Sequence, residues 1–200
     1  MTAEHIHIMT TENINLMEKY TENSDNNLRR HTIKIALIAM IAAMLTGGKL
    51  ALFLPNVEIV TLIIILTSCV FGITVSLPAT LIFVTVEPFF HEVSTWLLSY
   101  YIYWPLLALV FSIFMKNKEN PLFPTILAAI MTFLFGVITT LIDTIFAGGL
   151  NNGMFFRLFG FIYARGVGFC LTHILSNLII VAILYKPLYI LLKRLKERMY

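Results

Sequence analysis

Charged and polar side chains are few in this chain, and those that fall in or beside its apolar runs sit at similar depth. Glu58 opens the second long apolar run; Glu87, His91 and Glu92 close the third; Asp143 lies four residues before Ala147 in the fifth; Arg165 lies four residues into the sixth. Carboxylate beside histidine is the chemistry of proton transfer, and carboxylate beside arginine that of an ion pair or a clamp on a charged ligand. Charges inside a bilayer face a protein interior or a watery cavity and pair with one another, so Asp143 and Arg165 on consecutive runs form a candidate ion pair. Along the last run Arg165, Phe169, His173 and Asn177 recur every fourth residue and make one polar and aromatic face. Such a face lines a pocket or, for His173 and Asn177, ties neighbouring helices together by hydrogen bonds.

Known catalytic patterns are missing. The sequence holds no GxSxG, no HExxH and no GxxxxGK[ST], so neither a hydrolase nucleophile, a zinc protease nor a nucleotide site is expected. Cys69 and Cys170 stand alone within apolar runs, without the spacing of a metal site or a disulfide framework, and His5 and His7 near the start read as a solvated pair. No catalytic set, metal or cofactor is expected. An intramembrane enzyme would have to use Asp143 with His173, or Glu87 with His91, as acid and base, and a proton-coupled carrier would use Asp143, Arg165 and His173 as a relay.

The elements that position these residues follow from hydropathy. Of 200 residues 58% are hydrophobic and 12% charged, and the mean hydropathy is +0.85, which places the chain among integral membrane proteins. A spanning helix needs roughly 20 apolar residues. Six spans fit, at about 33 to 54, 57 to 75, 77 to 91, 96 to 115, 123 to 147 and 161 to 185, with Pro78, Pro88 and Pro105 marking starts or kinks. The fold class is therefore all-α, with residues 1–31 as a polar tail, 32–186 as a six-helix membrane domain and 187–200 as a basic amphipathic surface helix. Arg29, Arg30 and Lys34, then Lys116 and Lys118, then Lys186, Lys193, Arg194, Lys196 and Arg198 fall on one side of an even number of spans, which puts both termini in the cytoplasm. Lys49, Arg157 and Arg165 lie on the other side. The net charge of +3 gives no sign of nucleic-acid binding.

Two further patterns bear on function. On the first span Ala36, Ala39, Ala43 and Gly47 follow at steps of three or four, a smooth face that another helix can approach closely, within this chain or on a partner. At the outer end of the fourth span Trp96, Tyr100, Tyr101, Tyr103 and Trp104 crowd together beyond what an interfacial belt requires, and suit a planar or macrocyclic organic ligand. With the polar groups above, they predict a pocket open to the exterior.

The order of these features resembles a known family. The corner LPNVEIVTLIII after the Ala39/Ala43 helix, and RGVGFCLTHILSN from Arg165 to Asn177, are similar to the substrate-binding S components of energy-coupling factor vitamin importers of the Asn-Val-Glu type, over roughly Ile33 to Tyr185. Relatives of that type carry Pro after Asn-Val-Glu, where this chain has Ile59, and a Gly-rich segment where this chain has His91 to Tyr103 without Gly. The resemblance implies a multi-pass subunit of the bacterial cytoplasmic membrane that captures a vitamin, with a corrinoid such as cobalamin the first candidate. It implies partnership with a transmembrane coupling subunit, through Ala36, Ala39, Ala43 and Gly47, and with two cytoplasmic ATPases. The expected substrate-binding set is Asn56, Glu58, Glu87, His91, Trp96, Tyr100, Asp143, Arg165, Phe169, His173 and Asn177.

Overall fold

A computed structural model describes residues 3–51, 58–150 and 153–199, with backbone only for 3–16 and 18. Among the described residues all regular structure is helical: α1 Ala3–Ala51, α2 Val60–Phe71, α3 Ile73–Val86, α4 Thr95–Phe114, α5 Leu122–Phe146 and α6 Phe155–Met199, with one 3-10 turn at Glu87–Phe89. By length and composition α1, α4, α5 and α6 are able to cross a membrane. The apolar helices α2 and α3 have 12 and 14 residues, about 18 and 21 Å, short of a hydrocarbon core of roughly 30 Å.

The break between α2 and α3 is made by Gly72, at φ 80°, a backbone region that a side chain disfavours. Its N–H closes α2 on the carbonyls of Thr67 and Ser68. Pro78 and Pro105 are absorbed inside α3 and α4, whereas Pro88 sits in the turn that ends α3. α2 is apolar on every side because it is surrounded: ten of its twelve residues are buried, against α6, α4, α3 and α1. Phe83, Tyr103, Trp104, Leu107, Phe111, Val181 and Tyr185 complete the core around it. The outer surface carries Ile113, Phe133, Leu175, Ile179 and Ile183, as expected of helices facing lipid.

Threonines are buried throughout without being orphaned. Thr67, Thr80, Thr132 and Thr144 each donate to the carbonyl three or four residues back, which satisfies the hydroxyl within its own helix. The polar stretch before residue 32 continues the same helix as the apolar run that follows, and the basic residues after 186 likewise prolong α6 through Pro187.

Candidate functional site

Four elements bring charged groups to one end of the bundle. Lys49 in the last turn of α1 sits with its Nζ 3.2 Å from Oε2 of Glu58, just ahead of α2. It also donates to the hydroxyl of Tyr100 on α4. From α6, His173 Nε2 lies 3.4 Å from the other Glu58 oxygen. Glu58 is 7% exposed and His173 3%, so the Lys49–Glu58 ion pair lies in the interior beside the imidazole, and removing one partner from a buried ion pair costs about 3–5 kcal/mol.

One turn further along α6, fully buried Asn177 donates from Nδ2 to Thr61 Oγ1 on α2 (3.2 Å) and Thr132 Oγ1 on α5 (3.0 Å). Its Oδ1 has no partner among the described residues. Glu87 is fully buried in the turn after α3, and neither of its oxygens is hydrogen-bonded among the described residues. His91 Nδ1 lies 3.3 Å from Glu87 Oε2, and Lys49 and Glu58 are within electrostatic range. Burying a carboxyl group without hydrogen bonds is costly, so Glu87 stands out among the polar groups of the bundle.

The aromatic residues form a chain of edge-on and tilted contacts into the interior. Trp96 meets Tyr100 at 4.9 Å between ring centroids, Tyr100 meets Trp104 and Phe135 at 5.6 and 6.1 Å, and Phe135 meets the His173 ring at 5.5 Å. Tyr103 and Trp104, expected at the rim, lie fully buried in the core.

Beside this chain, between α5 and α6, is a cavity of about 210 Å³. Thr132, Phe135, Thr139, Thr140 and Asp143 line one wall, and Tyr163, Gly166, Phe169, Cys170 and His173 the other. Gly136 lets the walls meet below, since a Cβ there would stand 2.9 Å from Cys170 Sγ.

The structure brings together Glu58, Tyr100, His173 and Asn177, with Trp96, Glu87 and His91 nearby, and it adds Lys49, a first-span residue outside the expected substrate-binding set. Its signal was present: opposite charges nine residues apart across a tight corner. Asn56 lies outside the described residues. Asp143 and Arg165 do not pair. Asp143 accepts a hydrogen bond from Thr95 Oγ1 at 2.5 Å, and Arg165 is exposed, its guanidinium 5.7 Å from the centre of the Phe161 ring. The reason is helical drift. The face of α6 that turns toward the cavity and core runs Ile162, Gly166, Cys170, His173 and Asn177, and Arg165 lies one residue, or about 100°, away from it. Phe169 reaches the cavity edge while remaining 60% exposed.

Among the described residues the small-residue face of α1 is not covered by the rest of the chain. Leu37, Ile41, Leu45 and Gly48 turn inward, whereas Ala36, Ala39, Ala43 and Gly47 are exposed, and a Cβ on Gly47 would meet nothing within 4 Å. Comparison with known protein families, curated proteins and solved structures gives no match.

Proposed function

We propose that this chain is the substrate-capturing subunit of an energy-coupling factor type importer in the bacterial cytoplasmic membrane. In this reading all six apolar helices lie in the bilayer, both termini are cytoplasmic, and the Glu58 end faces out. The chain binds its ligand without transforming it. A transmembrane coupling subunit and two cytoplasmic ATPases supply the energy. The ligand is a vitamin or related organic nutrient, for which the resemblance nominates a corrinoid such as cobalamin.

One observation carries the reading. Two carboxyl groups, Glu58 and Glu87, are buried with His173 and Asn177 at one end of an apolar bundle, near a cavity that His173 lines together with aromatic rings. The exposed face of Ala36, Ala39, Ala43 and Gly47 supports the partnership, because a second helix could close on it with little side chain between the backbones.

Uptake of labelled vitamins, cobalamin and thiamine among them, by cells producing this chain with and without the coupling subunit and ATPases tests the proposal. Accumulation is expected only with all components, and Ala43→Leu should abolish it while leaving ligand binding intact. A second reading, a proton-coupled carrier, draws on the contiguous Lys49, Glu58 and His173 side chains. Uptake that persists without ATPases and collapses with an uncoupler would select it.

A further inference from the structure

We infer that the cavity between α5 and α6 takes a small cationic ring bearing N–H donors, not a macrocycle. The inference rests on the capture reading above and departs from its corrinoid candidate. Size is the first ground. At about 210 Å³ the cavity lies below the roughly 300–1,000 Å³ typical of sites for drug-sized ligands, so it has room for one or two fused rings.

The lining supplies the second ground. Thr139 Oγ1 donates to Phe135 O at 2.7 Å and Thr140 Oγ1 to Gly136 O at 2.8 Å, so both hydroxyl hydrogens are committed to the helix. What these side chains have left to offer a ligand is acceptor lone pairs. Asp143, one turn on, is acceptor-only when ionised, and its hydrogen bond from Thr95 leaves further acceptor capacity free. Among the described residues no lysine or arginine lies within ion-pair distance of it. Three neighbouring acceptors on one helix, facing a cavity whose donors are confined to Tyr163, Cys170 and His173, call for a ligand rich in donors.

Charge points the same way. Within the bundle at this end Glu58, Glu87 and Asp143 face the ammonium of Lys49, while the cations of the same side on α6, Arg157 and Arg165, are exposed and turned away from the cavity. A cation bound at the Asp143 rim would be paired there, and the cavity is lined by the aromatic side chains of Phe135, Tyr163 and Phe169, a ring type that attracts cations.

The test is mass spectrometry of the small molecules released by denaturing full-length protein, purified in detergent from cells grown in vitamin-rich medium. The expected result is a stoichiometric ring compound, positively charged at neutral pH. Its occupancy should fall at least tenfold in Asp143→Asn and severalfold in Thr139→Val. Thermal unfolding checks that each variant is folded, and Thr139→Val, which keeps the side-chain shape, decides the matter should Asp143→Asn fail to fold. A bound corrinoid or anion overturns the inference and leaves the capture reading standing. Equal retention of a cation by folded variants overturns the inference alone, and protein that is empty as purified overturns both.

Discussion

The two ends of the helical bundle solve the same problem, polar groups inside an apolar protein, in opposite ways. At one end the acceptors are backbone carbonyls: the Tyr185 hydroxyl donates to Lys118 O at 2.6 Å, the Lys196 ammonium to Val70 O at 2.6 Å, and the Asn117 backbone N–H to Cys69 O at 3.3 Å. Each bond joins elements distant in sequence and leaves no charged partner dependent on another. At the Glu58 end side chains grip one another, and both Glu87 oxygens and Asn177 Oδ1 have no hydrogen-bond partner among the described residues. The first arrangement is what stability alone would select. The second retains buried ionisable groups that stability alone does not call for, since well-packed apolar residues often replace a buried ion pair at no cost.

The largest effect should come from breaking the Glu58 network on one side only. Glu58→Ala leaves the Lys49 ammonium uncompensated and is expected to cost about 3–5 kcal/mol in unfolding measurements, whereas the double change Lys49→Met with Glu58→Leu should recover most of that loss and abolish ligand binding. Recovery of binding as well as stability in the double variant would show that the charges serve the fold and erase the contrast between the ends.

Next in size is Gly136→Ala. Its Cβ would come 2.9 Å from Cys170 Sγ, so α5 and α6 must part or the thiol must move, at about 1–3 kcal/mol. Ligand affinity should fall with stability, and Cys170→Ala in the same chain should restore both. The smallest effect belongs to the stapled end. Tyr185→Phe removes one hydrogen bond to Lys118 O, worth about 1 kcal/mol by unfolding, and should leave ligand affinity unchanged. A change in affinity there would mean that the two ends are coupled through α6.

The helices were legible where polar residues bracket an apolar run. α4 and α5 begin and end within a residue of the expected 96–115 and 123–147, since Ser94, Asn117, Lys118 and Pro121 punctuate them. The third run was placed too late, because Gly72 rather than Pro78 starts α3 and Pro88 stops it. The sixth was placed too short, because Pro187 interrupts α6 without ending it. Within the site, Glu58, His173 and Asn177 stood out as polar groups set among apolar ones. Arg165 did too, yet it turns outward, because a four-residue step overshoots a 3.6-residue turn and the apparent stripe winds off the cavity face. The acceptor row of Thr139 and Thr140 had no sequence signal, since an intrahelical bond to the backbone is invisible in residue type alone.

The unbroken course of α1 gives the molecule a lever. Some 30 residues of helix precede its apolar part, about 45 Å of helix in one unbroken run with the segment that carries Lys49 to Glu58. A tilt of that segment by about 20°, ordinary for a helix in a bilayer, would sweep the far tip through roughly 15 Å. Small rotations at the buried charges would thus be written large in the aqueous phase, where a distance probe can read them without touching the site.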